Sequence, residues 1–164
     1  FLMADIKTPE ERSRNMAAIH SSDTQPEMHV RRYLHSMGWR YGLHNKNLPG
    51  SPDIVMRRFK TVIFIHGCFW HGHENCKYYR LPKSNTEFWQ TKININRARD
   101  ERDIKALNKL GWNVIIVWEC ELKTEERRKL TFRRLFNIFN LPYDHTHHSL
   151  AEVAEPEIPY GNNI

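Results

Sequence analysis

The segment Thr61-Val-Ile-Phe-Ile-His66 constrains the fold more than any other stretch of the chain. A run that is apolar at nearly every position suits a strand covered on both faces, and such strands lie in the middle of a sheet. Residues 53–57 (Asp-Ile-Val-Met-Arg) predict its hairpin partner, with Arg58-Phe59-Lys60 as the tight connection. Residues 112–118 (Trp-Asn-Val-Ile-Ile-Val-Trp) predict a third strand. Thr24-Gln-Pro-Glu27 has the form of a capping box, with Thr24 as N-cap, Pro26 in the first turn and Glu27 reaching back. Met28, Val30, Tyr33, Leu34 and Met37 then give a helical stripe that Gly38 ends. The chain reads helical again from Thr86 to Leu110, in one piece or two, with Gly111 as stop, and a last helix is expected over 124–139. Helix, strands, helix, strand, helix implies an α/β domain with a mixed sheet flanked by helices.

At 164 residues the length suits one domain, expected over 3–140, with 141–164 an unassigned tail holding Pro142, Pro156 and Pro159. Phe1 and Leu2 precede Met3 and are read as foreign to the natural start. No apolar run approaches the ~20 residues of a membrane span, so a soluble intracellular protein is the expectation. The formal net charge of +6 leans toward a polyanion partner. Cys68, Cys76 and Cys120 are the only cysteines, an odd count that argues against a disulfide framework inside a cell.

Four constellations carry chemistry. With the hairpin turn centred between Phe59 and Lys60, Asp53 lies directly across from His66, about 4.5–5.5 Å away on one face. The pair reads either as a surface Asp–His contact or as a site for a hard divalent cation with Asp53 as its oxygen ligand. Cys68, His73 and Cys76, with Cys120 after the third strand, offer sulfur and nitrogen donors suited to a closed, structural zinc. Three reduced buried cysteines are the alternative, and His71 rivals His73 for the nitrogen position. Phe69 and Trp70 sit in the same loop, and Trp89 opens the long helix. These rings suit insertion between base pairs. Core packing is the other reading: it is preferred for Phe88 and evenly balanced for Trp89. Arg97, Arg99, Arg102 and Lys105 alternate with Asp100, Glu101 and Asp103, which a solvated face explains better than phosphate contacts do. The tail cluster His145-Thr-His147-His148 is the weaker metal candidate, and a capping box accounts for Glu27 without catalysis.

The run Phe64-Ile-His66-Gly-Cys68-Phe-Trp-His71-Gly-His73, followed by Cys76, resembles the signature of the very-short-patch repair (Vsr) mismatch endonucleases. Leu48-Pro-Gly-Ser-Pro-Asp53, Thr86-Glu-Phe-Trp89 and Val117-Trp-Glu-Cys120 resemble it too, and the likeness spans about residues 3 to 125. The resemblance implies a restriction-endonuclease-like fold and magnesium-dependent cleavage 5′ to the thymine of a thymine–guanine mismatch. By motif, Asp53 is then the carboxylate bridging the metals, joined by the backbone carbonyl of Ile65. His66 and His71 act on water and phosphate, and Glu27 holds metal-bound water. Cys68, His73, Cys76 and Cys120 hold a structural zinc, while Phe69, Trp70 and Trp89 form an intercalating wedge. Double-stranded DNA is the implied partner, with mismatch-repair proteins beside it. The implied enzyme is a monomer in the bacterial cytoplasm, acting at the nucleoid. Two departures stand out. Ile65 replaces a threonine, which a backbone ligand tolerates, and the loop from His73 to Cys76 is one residue longer. Two readings compete with this one: a restriction- or homing-type nuclease without mismatch preference, and a zinc-stabilised DNA-binding module.

Overall fold

The computed structural model describes residues 8, 10, 11, 14 and 22–140. Lys7, Arg12, the histidines of the tail cluster and all of 141–164 lie outside them. Helix α1 runs over Gln25–Ser36. Thr24 caps it, its hydroxyl accepting from the Glu27 N–H at 3.4 Å. The Glu27 carboxylate does not complete the expected box on Thr24: it accepts from the N–H of Asp23, one residue further back, at 2.9 Å. Beyond Ser36 the N–H of Trp39 returns to the carbonyl of Leu34 at 3.1 Å, and Gly38 bonds to His35 at 2.9 Å. These two bonds form a Schellman closure, which places Gly38 at φ +74°. Met37 falls at the cap and is exposed, so the buried stripe of α1 rests on Val30 and Leu34.

The sheet has four strands in the order β1 (Gly42–Leu43), β2 (Ile54–Met56), β3 (Thr61–His66), β4 (Asn113–Trp118). Strand β2 is antiparallel to both β1 and β3, and β4 is parallel to β3. A parallel neighbour needs a long crossover. Helix α2, Thr86–Lys109, supplies it as a single unbroken helix. It ends in a second Schellman closure, with Gly111 at φ +77° and the Trp112 N–H on the Leu107 carbonyl at 3.0 Å. Helix α3, Glu125–Asn140, completes the domain.

Alternation sorts the side chains between two faces of the sheet. Ile54, Met56, Ile63, Ile115 and Val117 pack with Val30 and Leu34 of α1 and with Leu135 and Phe139 of α3. Val55, Val62 and Phe64 face the other way, toward Leu107 of α2. Covering on both sides explains why β3 is apolar almost throughout. Among the described residues no helix is long and apolar enough to cross a membrane.

The hairpin register differs from the sequence expectation. Ile54 pairs with Ile63, Val55 with Val62 and Met56 with Thr61, so Asp53 is not directly opposite His66. The connection is four residues rather than three: a 3-10 turn over Arg57–Phe59, then Lys60 in the left-handed region at φ +48°. The turn therefore centres between Arg58 and Phe59, one residue earlier than expected, so each pairing partner moves by two positions. An even shift leaves every side chain on its face, whereas a shift of one would have reversed them all. Asp53 and His66 therefore still project from the same side of the sheet, the side covered by α2.

Candidate active site and metal centre

On that side, Asp53, His66, His71, Arg99, Asp100 and Asp103 line a cavity of about 490 Å³. Asp53 stands at the entry to β2, and its Oδ2 accepts from the Ile65 N–H at 2.7 Å, so the neighbouring strand holds its carboxylate in place. Burial raises its pKa, the nearby charge of Glu27 adds to this, and the Ile65 bond opposes it. A carboxylate kept partly dehydrated beside an open cavity is a strong hard-cation ligand, because a cation reverses the penalty of burial.

His66 ends β3 and its ring stacks on His71, with centroids 3.8 Å apart and planes 6° apart. Burial holds His66 well below the usual imidazole range, at about 3, and the charge of His71 adds to the effect. His66 is thus a neutral imidazole at any physiological pH. The Nδ1 of His71 lies 2.5 Å from Oδ2 of Asp100 on α2. Burial alone would push the Asp100 carboxyl up, but the His71 hydrogen bond and the charges of His71, His66 and Arg99 outweigh it and hold it low. His71 is therefore paired to a carboxylate through one nitrogen, which orients the ring and leaves the other nitrogen for chemistry.

Asp100 and Arg99 escaped the sequence reading, which placed both on a solvated face. The signal was present. Ile93 and Leu107, both fully buried, flank Asp100 at seven residues on either side, so a carboxylate stands in the middle of the buried stripe of α2. Lys105 pairs with Glu101 and Arg97 with Glu74 as expected of a solvated face, whereas Asp103, paired with Arg102, is largely buried and lines the cavity. Glu27 does not line the cavity. It is buried in α1, near enough for Asp53 to feel its charge, with His44 Nε2 at 3.1 Å and Arg31 Nη1 at 3.4 Å from Oε1.

The loop after β3 folds on itself. The His71 N–H bonds to the Gly67 carbonyl at 3.2 Å, and the His73 N–H bonds to the Cys68 carbonyl at 2.9 Å. This turns His73 toward Cys68 and sends His71 to the cavity, which resolves the rivalry between the two histidines. The donor atoms of Cys68, His73, Cys76 and Cys120 all lie within 4.8 Å of one another. The edge of a tetrahedron with bonds of ~2.3 Å is roughly 3.8 Å, so the cluster has the size of one tetrahedral ion. His73 stacks on Trp118 at 4.0 Å, and Arg127 donates to the Cys120 carbonyl at 3.2 Å, steadying two ligands from behind. The thiols share protons unevenly: the hydrogen bond from Cys120 brings Cys68 down to about 5, while the same contact pushes Cys120 up. Three sulfurs and an imidazole held together form a donor set that fits a soft divalent cation.

Gly72 lets the loop approach α2 closely. It sits at φ +61°, and a Cβ there would meet Cγ2 of Ile93 at 2.7 Å and Cδ of Arg97 at 3.0 Å. Gly72→Ala is therefore expected to cost ~1–3 kcal/mol through overpacking and backbone strain. Thermal melting checks this: a fall of about 2–4 °C per kcal/mol is the scale for a chain of this size, and an unchanged midpoint would refute the packing described.

Phe69, Trp70 and Trp89 converge, with centroids 5.2 Å (Phe69–Trp70), 5.5 Å (Phe69–Trp89) and 6.0 Å (Trp70–Trp89) apart. Phe88, expected in the core, is instead 59% exposed and packs against Trp89. It lies in the first turn of α2, on the opposite side from Ile93. The Nζ of Lys92 lies within 6 Å of Trp70, Phe88 and Trp89, a cation set among aromatic faces.

Three acids and two imidazoles around one cavity, beside clustered aromatic rings, suit hydrolysis of a polyanionic substrate, and known proteins point to the same class. Residues 4–77 match the family described as DNA mismatch endonuclease Vsr. The type II nicking enzyme V.XorIIP of Xanthomonas oryzae pv. oryzae is 51% identical over 120 residues, covering 73% of this chain and 88% of that protein. The type II nicking enzyme V.NmeAIP of Neisseria meningitidis is 50% identical over 123 residues, covering 75% of this chain and 87% of that one. The DNA mismatch endonuclease Vsr of Escherichia coli is 45% identical over 125 residues, covering 76% and 80%. The protein is a DNA endonuclease, a hydrolase whose substrate is DNA. It belongs to the Vsr family of DNA mismatch endonucleases.

Proposed function

We propose that this chain is a magnesium-dependent, strand-specific endonuclease that nicks 5′ to the thymine of a thymine–guanine mismatch, in very-short-patch repair. The observation that carries the reading is the convergence of Asp53, His66 and His71 on one cavity, with Phe69 and Trp70 leading directly into His71. On this reading the mixed sheet is a restriction-endonuclease-like core that presents Asp53 at the end of a strand. Magnesium, when bound, supplies charge neutralisation for the phosphate and its leaving oxygen. Asp53 and the Ile65 carbonyl would hold it, and Glu27, buried behind Asp53, would hold water on that side. His71, oriented by Asp100, moves a proton at its free nitrogen, and His66 stays neutral beside it. Arg99 offers charge to the scissile phosphate from the cavity wall. Cys68, His73, Cys76 and Cys120 hold one structural zinc. The enzyme works as a cytoplasmic monomer, with mismatch-repair proteins as further partners.

The wedge of Phe69, Trp70 and Trp89 supplies the selectivity. A wobble pair stacks poorly, so separating it from its neighbour costs less than separating a normal pair. A ring that stacks on the exposed base recovers ~1–3 kcal/mol. The test is nicking of otherwise identical thymine–guanine and thymine–adenine duplexes, with magnesium and with chelator. The mismatch is expected to be cut faster and only with the metal. Equal cutting of both duplexes favours a restriction- or homing-type nuclease instead. Trp70→Ala is expected to slow cutting of the mismatch roughly 10–100-fold at little change in melting temperature, as the loss of one stacked ring implies. If melting falls by the ~3–5 kcal/mol of a truncated core aromatic, Trp70 is packing and no wedge.

A further inference from the structure

His44 has no role in the mechanism above, yet it contacts both acids. It follows β1 directly and occupies the left-handed region at φ +45°. Side chains other than glycine are uncommon there, and such strain persists where the surroundings enforce it. Two contacts accompany this backbone. The His44 N–H donates to the Asp53 carbonyl at 3.1 Å, which ties the strand entry carrying Asp53. The ring then reaches α1, where Nε2 lies 3.1 Å from Oε1 of Glu27. That nitrogen is shut off from solvent, and its approach to the carboxylate is off the line of a full hydrogen bond. Glu27 also takes the Asp23 N–H at 2.9 Å and Arg31 at 3.4 Å, both from its own helix or the cap of that helix. Of these three neighbours His44 alone comes from the sheet side.

We infer that His44 is a positioning residue that sets the Glu27 carboxylate relative to Asp53, by gripping the main chain of one acid and the side chain of the other. The inference rests on the roles given to Glu27 and Asp53 under the proposed function. Two carboxylates on separate elements, α1 and β2, cooperate on one cation only if their spacing is fixed, and like charges left alone drift apart. A single residue hydrogen-bonded to the main chain of Asp53 and in close contact with the Glu27 carboxylate limits that freedom. Sequence reading passed His44 over because nothing in Leu43-His-Asn-Lys-Asn47 marks a site.

Two substitutions separate reach from backbone shape. His44→Asn suits a left-handed backbone but is too short to reach Glu27. His44→Gln has an amide N–H that reaches as far as Nε2 and carries no charge. Nicking of the thymine–guanine duplex is measured against magnesium concentration, alongside duplex affinity and melting. In parallel, manganese binding to the protein on an uncleavable duplex is followed by electron paramagnetic resonance. His44→Asn is expected to raise the magnesium needed for half-maximal rate, and to weaken manganese binding, by roughly 10–100-fold, as outer-shell losses do. Duplex affinity should hold, and His44→Gln should recover most of the metal response. In a Glu27→Gln background His44→Asn should add little. A merely structural His44 gives a different result: lower melting and lower maximal rate, with unchanged metal dependence in both assays and full additivity with Glu27→Gln. That outcome overturns the inference while leaving the function intact. A wild-type protein that neither nicks nor binds manganese overturns the function and the inference together.

Discussion

Replacing Asp53 by alanine is expected to abolish nicking while leaving duplex binding intact or tighter. The carboxylate stands partly buried at the entry to β2, fixed by the Ile65 N–H at 2.7 Å, and among the described residues no other acid occupies that end of the hairpin. Asp100 and Asp103 share the cavity, but Asp100 is committed to His71 and Asp103 to Arg102. Neither is free to replace a lost metal ligand. The rate should fall by roughly 10³-fold or more, the scale on which removing a group that stabilises transition-state charge acts. Binding responds in the opposite sense, because a negative charge facing phosphate is removed. Melting temperature should hold or rise slightly, since Asp53 is charged against the penalty of its own burial. Filter binding and nicking on one preparation decide the matter: a variant that cuts within a few-fold of wild type removes Asp53 from the chemistry.

What the sequence disclosed follows from which interactions are local. The two helix stops at Gly38 and Gly111 were legible because a Schellman closure needs a left-handed residue at a fixed offset, and glycine marks it. Strand β3 was legible because covering on both faces leaves a continuous apolar run. Strand β1 was not: two exposed residues, Gly42 and Leu43, carry no pattern, and only pairing with β2 makes them a strand. The hairpin register differs by two because Arg57 joins the turn and Lys60 takes a left-handed conformation that its residue type does not advertise, which moves the turn centre back by one residue. The site survived that error because side-chain parity, and not direct opposition, puts Asp53 and His66 on one face. Phe88 was assigned to the core from its residue type alone, while its place on the outward side of α2 decides its exposure. Asp100 was misjudged through its neighbours: a charge-rich stretch reads as a solvated face until the seven-residue spacing to Ile93 and Leu107 is noticed.

Metal analysis should find about one zinc per chain, and losing it should cost the protein a large part of its stability. Cys68 and Cys76 bound a loop, His73 lies between them, and Cys120 belongs to the turn after β4, so one ion held there would join β3, its following loop and β4. Among the described residues, the apolar side chains packed on the three cysteines are Tyr79 and Trp118, so the cluster has little other packing to hold it. Structural zinc in small domains contributes about 10–16 kcal/mol of apparent binding energy, comparable with the ~5–15 kcal/mol total stability of a typical domain. Cys120→Ser, which weakens one of four ligands, is expected to lower melting by about 10 °C or more at roughly 2–4 °C per kcal/mol. Chelation of the wild type should have an effect at least as large. Four protein ligands would leave no position for a reacting water, so zinc bound there would contribute through folding alone. Below its lower melting point, Cys120→Ser should therefore retain the magnesium dependence of the wild type. The loop that a bound ion would anchor also carries Phe69, Trp70 and His71, so partial loss of metal should impair mismatch preference before it abolishes binding. Three buried thiols without metal predict otherwise: a small penalty for serine and none for chelation. Zinc-free protein that melts where the loaded protein does would leave the cluster as ordinary packing.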